Sequence, residues 1–172
     1  MSEQEIPEED MPGPTHPTPH HAWLHHLVGE WKTEPAPNED GTPDEFSGSG
    51  HESHKMFGDL WVLGEGEITF PDGSQMLSRM GLGYDVSYNE YRAFWVATVS
   101  SHLWKYTCEL SEDGKTLTMN CEGPDMMGDA PSAQYRDIIE LIDEDHRTHT
   151  STMQDKDGNW TQYMKNYYTR VK

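Results

Sequence analysis

The apolar positions after residue 28 fall in short runs separated by polar, turn-forming stretches, a pattern of strands and not of long helices. Runs rich in aromatic and β-branched residues occupy 29–34, 48–56, 60–70, 75–84, 91–99, 103–110, 116–121, 134–142, 147–153 and 160–171. That pattern predicts about ten strands. Asp-Gly dipeptides at Asp40-Gly41, Asp72-Gly73, Asp113-Gly114 and Asp157-Gly158 punctuate the body of the chain, and Asp-Gly supplies the positive φ angles of tight hairpins. With no long helix between them, successive strands pair antiparallel as a meander. A sheet of that length avoids unpaired edges best by closing on itself. The expected fold is therefore all-β, a single antiparallel up-and-down β-barrel of about ten strands. A helical period appears once, near the start: Thr18 suits an N-cap, Pro19 the first helical position and Gly29 the stop, with Trp23, Leu24, Leu27 and Val28 on one face. So short a helix is marginal alone and must lean on something apolar, for which the open end of a barrel is the natural candidate.

Charge and composition narrow the partners. The 172 residues carry a net charge of −19, which repels nucleic acid and anionic membrane surfaces. No apolar run approaches the roughly 18 residues of a membrane helix, and the opening MSEQEIPEEDM has neither the basic nor the apolar segment of a signal peptide. A soluble, cytoplasmic protein is expected. Residues 1–19 hold Glu3, Glu5, Glu8, Glu9, Asp10 and several prolines but few sizeable apolar side chains, a composition that cannot offset the entropy of ordering. They read as a disordered acidic tail, leaving 20–172 as the barrel domain.

The segment HHAWLHHLVGEW, residues 20–31, resembles the opening of the lipocalin-like family catalogued as domain of unknown function 1579, through His21, Leu24, Leu27, Gly29 and Trp31. GLGYDVSYNEYRAFWV, residues 81–96, is similar to a second stretch of that family through Gly83, Tyr84, Asp85, Tyr91 and Trp95. A Gly-x-Trp after a short helix also resembles the entrance signature of the wider lipocalin and fatty-acid-binding superfamily. The resemblance implies a calycin-type barrel with a short lid or plug helix and no assigned activity. The superfamily's common role, holding a small apolar ligand in the lumen, comes by fold-level analogy alone.

Candidate chemistry is sparse. Ten histidines invite a metal reading, but only His21 and His25, four apart on the helix, share a face. His51 and His54, like His146 and His149, are three apart on strands and split across opposite faces. Haem bound through a strand histidine is disfavoured by the polar run RTHTSTMQ. The cysteines, Cys108 and Cys121, lie on two arms of one hairpin, with Cys108 opposite Met119 and Cys121 one diagonal step away, too far for an unstrained disulfide. Three Gly-x-Gly triplets, at Gly48, Gly64 and Gly81, precede no helix and relieve crowding where strands bend. Asp155, Asp157 and Asn159 lack the glycine position and terminal Glu of a calcium loop. What remains is the lumen. Arg79, Arg92 and Arg136 lie within strands, and any that turned inward would suit a ligand with an acidic group. The leading expectation is a non-enzymatic module with no cofactor or metal that binds a small apolar or aromatic ligand through Trp23, Trp31, Trp61, Arg92, Trp95 and Trp104. The alternatives are a filled barrel with a structural or interaction role and a barrel enzyme using an inward acid or base.

Overall fold

The computed structural model describes residues 13–38, 40–44 and 46–171, so the first twelve residues of the expected tail lie outside the described residues. Ten strands follow one another: β1 (Gly29–Pro35), β2 (Ser49–Phe57), β3 (Trp61–Thr69), β4 (Gln75–Asp85), β5 (Glu90–Ala97), β6 (Ser100–Leu110), β7 (Thr116–Gly123), β8 (Ala133–Leu141), β9 (His146–Gln154) and β10 (Trp160–Arg170). Each pairs antiparallel with its sequence neighbours, and β1 also pairs with β10, closing the barrel. The alternating pattern is cleanest in β3, where Val62, Gly64, Gly66 and Ile68 point in and their neighbours point out.

Register decides what faces inside. Directly opposed residues of an antiparallel pair share a face, and Trp31 is opposed by Glu52 on one side and Arg170 on the other. Thr33 is opposed by Tyr168, which is opposed in turn by Arg147. Since Trp31 and Thr33 are buried, these pairings bring Glu52, Tyr168 and Arg147 to the interior.

The hairpins differ from the tight two-residue turns that Asp-Gly suggests. Phe70 N–H bonds to Ser74 O across three loop residues, and Ser111 N–H to Thr116 O across four. Only the glycine of each dipeptide has positive φ, 83°, 85°, 71° and 87° in chain order, whereas the tightest turn type needs two such residues. The aspartate works through its side chain instead: Asp72 Oδ1 accepts from Ser74 N–H at 2.8 Å, and Asp113 Oδ1 from Lys115 N–H at 3.1 Å.

One end of the barrel is plugged. The helix α1 (Pro19–Trp23) gives way to a single 3-10 turn over Leu24–His26, so it is shorter than the residues between Thr18 and Gly29 allow. The tighter turn feeds the chain directly into β1, and Trp31 Nε1 donates to the Leu27 carbonyl at 2.9 Å. At the other end of the helix, Thr18 N–H donates to His21 Nδ1 at 2.9 Å, the reach-back bond of a capping box with histidine in place of Glu. Trp23, Leu24 and Leu27 bury themselves against Val62, Leu82, Tyr91 and Leu117. Polar bonds fix the plug: Trp23 Nε1 donates to Gly114 O at 2.8 Å, Tyr91 Oη to His20 O at 2.7 Å, and the Arg170 guanidinium to the carbonyls of Val28, His26 and Glu144.

Candidate functional site

The opposite end is open, and behind it lies a cavity of about 890 Å³, within the usual range of small-molecule sites. The cavity exists partly because small residues face it: Gly64, Gly66 and Ala93 add almost no volume to the wall. A Cβ on Gly64 would come within 2.9 Å of His54 Cε1 and 3.0 Å of its Nδ1, so the position of the His54 ring depends on that glycine.

The two sides of the cavity differ. Strands β3 to β7 supply an apolar wall that includes Ile68, Met76, Met80, Trp95, Trp104 and Met119. Strands β2, β8, β9 and β10 supply a polar wall that includes Glu52, His54, Asp137, Arg147, His149 and Tyr168.

Glu52 is the hub of the polar wall. Its Oε1 accepts from Tyr168 Oη at 3.0 Å, its Oε2 lies 2.9 Å from His54 Nε2 and 3.4 Å from Arg147 Nη2. Burial alone would raise the carboxyl, but the bond to His54 and the charge of Arg147 outweigh it and hold Glu52 down to about 2. An ionised carboxylate only accepts, so His54 carries its proton on Nε2 and presents an unprotonated Nδ1. Burial also pushes the His54 imidazole below its ordinary value, partly offset by the Glu52 bond. Arg147, 3% exposed, sits over the rings of Trp31 and Tyr168 at 4.3 and 4.9 Å from their centroids.

Asp137 stands apart from that hub. Its Oδ1 is 3.9 Å from His149 Nε2, beyond hydrogen-bond distance. Burial raises its carboxyl, and the neighbouring His149 imidazole, Ser151 hydroxyl and Tyr106 phenol together outweigh that and bring it below the ordinary value. Among the described residues His54 Nδ1, Arg147 Nη1, Asp137 Oδ1, His149 Nε2, Asn166 Oδ1 and Trp104 Nε1 are buried without a hydrogen-bond partner, and all six side chains line the cavity.

These shifts set a pH dependence. An unfolded Glu titrates near 4.5 and Glu52 in the fold near 2, so the unfolded chain binds the extra proton between those values. The stability Glu52 confers is complete above about pH 4.5 and disappears toward pH 2, a loss of about 3 kcal/mol. His54, held neutral by burial, adds loss of the same sign below its unfolded value of 6.5. Urea midpoints measured from pH 7 to 3 are expected to fall from just under pH 6.5, and Glu52→Gln should flatten the acid limb. A flat profile between pH 6.5 and 4.5 contradicts the account of His54.

The structure sorts the residues expected from sequence. Trp95 and Trp104 line the cavity. Trp23 belongs to the plug, Trp31 is buried between Arg147 and Arg170, and Trp61 lies on the outer surface over Gly83. Arg92 also faces out, bonded to Glu90 and stacked on Tyr88. Arg79 pairs with Glu65 and Arg136 stacks on Trp160, so none of the three arginines offered for an acidic ligand group occupies the lumen, because strand parity places them on the outer face. Arg147 takes that position instead. His54 and His149 turn inward and His51 and His146 outward, as their spacing requires. His21 is consumed in capping the helix, and no group of three or more metal-ligating side chains occurs among the described residues. Cys108 opposes Met119 and both thiols are free; burial pushes Cys121 up to about 12 and Cys108 higher, which leaves both unreactive. No helix among the described residues is long and apolar enough to cross a membrane.

No curated protein matches the chain in sequence. Among solved structures, a designed fluorescence-activating β-barrel is 13% identical, covering 86% of this chain and 96% of its own, with a TM-score of 0.45. EF1p2_mFAP2b bound to DFHBI is 14% identical, covering 88% of this chain and 99% of its own, with a TM-score of 0.46. A redesigned β-barrel is 15% identical, covering 87% of this chain and 95% of its own, with a TM-score of 0.44. The family model described as "Protein of unknown function (DUF1579)" matches residues 16–170. The plug helix, all ten strands and every side chain of the polar wall fall inside that span, and the chain belongs to this family.

Proposed function

We infer that the barrel holds a small, partly apolar molecule in its lumen. The observation that carries this reading is the cavity itself: about 890 Å³ between an apolar and a polar wall, bordered by six polar atoms without partners among the described residues. A buried polar atom left unpaired costs about 1–3 kcal/mol, so a guest that supplies the missing hydrogen bonds while covering apolar surface gains on both counts. The same space weighs against a barrel packed solid for a purely structural role.

The test uses N-phenyl-1-naphthylamine, an uncharged dye that brightens in apolar surroundings. Saturable brightening with the purified chain is expected, accompanied by a change in Trp emission because Trp95 and Trp104 line the site. Ala93→Phe projects a ring into the cavity and should weaken binding by about tenfold or more while the variant keeps its melting temperature. Undiminished dye binding in a folded Ala93→Phe variant would place the dye outside the lumen and overturn the reading.

A further inference from the structure

We propose that the lumen selects an uncharged or cationic molecule that donates hydrogen bonds, and rejects carboxylates and sulfonates. The proposal rests on the lumenal reading above and adds the class of ligand. It follows from the charges that border the cavity. Asp44 and Asp72 stand at the mouth and Glu52 and Asp137 inside, while Arg147 is the one Lys or Arg among the described lining residues. An anion entering from the mouth passes carboxylates first and finds a single guanidinium at depth.

That guanidinium is already engaged. Arg147 Nη2 lies 3.4 Å from Glu52 Oε2, and the cation is stacked on Trp31 and Tyr168. With Arg147 balanced by Glu52, the second interior carboxylate, Asp137, is offset by no arginine or lysine. The basic side chain beside Asp137 is His149, 3.9 Å away, whose single charge can at most balance that carboxylate. Bringing a carboxylate beside interior carboxylates without a counter-charge is costly. A cation or a neutral donor meets the opposite condition: His54 Nδ1 and Asp137 Oδ1 are both buried acceptors without a partner, and Arg147 Nη1 remains to meet an acceptor on the same guest. Such a guest resembles an arylamine or a heterocycle with ring N–H groups more than a fatty acid.

Two dyes with one aromatic skeleton separate charge from cavity. N-phenyl-1-naphthylamine carries an N–H and no charge, and 1-anilinonaphthalene-8-sulfonate adds a sulfonate. Titrations run in about 1 M salt, where screening confines exposed charge effects to about 3 Å, remove the general repulsion of an acidic chain. The uncharged dye is expected to bind at least about tenfold more tightly, and Asp137→Asn to narrow that preference by tightening the sulfonate. Since the variant could misfold, a second comparison uses the unaltered protein: 1-naphthylmethylamine should displace the bound uncharged dye at lower concentration than 1-naphthoate. Equal affinity for both dyes, or stronger displacement by naphthoate, overturns the selectivity and leaves the cavity reading standing. Failure of both dyes to bind overturns the lumenal reading and this one with it.

Discussion

Arg147→Met is expected to destabilise the chain by about 3–5 kcal/mol, read as a drop in the urea midpoint with an unchanged slope. The size comes from what the substitution leaves behind. Glu52 accepts from Tyr168 and lies against His54, but without the guanidinium its charge sits in the barrel with no cation. The methionine retains length and apolar contact with Trp31 and Tyr168, so the loss reports the charge and not an empty space. Glu52→Gln in the same chain should restore most of the loss, since it removes the stranded carboxylate. A double variant no better than Arg147→Met alone would show that the arginine acts chiefly through its stacking on the two rings.

Trp23→Ala should cost about as much, 3–5 kcal/mol for a large buried aromatic, or about 10 °C in melting temperature for a domain of this size. Trp23 is 8% exposed, meets the Tyr91 ring edge at 5.7 Å between centroids, and ties the helix to the β6–β7 hairpin through Gly114 O. Trp23→Phe keeps the ring contact and loses the indole bond, for an expected cost of about 1 kcal/mol. Equal losses in the two variants would assign the stabilisation to the hydrogen bond and not to burial.

The barrel was legible because aromatic and β-branched runs between Asp-Gly turns announce strands, and ten of them in succession with short links leave few arrangements. The helix was legible as a start signal, although its length was not: nothing in residues 24–28 states that Trp31 will claim the Leu27 carbonyl. The lumen was the harder part. Hydrophobicity identifies an inner face only where that face is packed, and here the inner faces of β2 and β9 carry Glu52, His54, Arg147 and His149. The run RTHTSTMQ is therefore polar although it lines the lumen through Arg147, His149 and Ser151. A usable signal was present in parity. Trp31, anchored by the plug, fixes the inward side of β1, and pairing carries that side to Glu52 and, through Thr33 and Tyr168, to Arg147. Following it needs the closure of β1 onto β10, a contact between the two ends of the domain that local pattern does not contain. The same parity places Arg79, Arg92 and Arg136 outside.

Among the described residues the plug closes one end of the barrel and the cavity opens at the other. On the lumenal reading, a guest would enter and leave past the loops around Pro43, Phe70 and Met126. Bridging two of those loops across the doorway would slow arrival and departure together, leaving the strength of capture nearly untouched, so rates of exchange and tightness of hold can be tuned by different parts of one small chain.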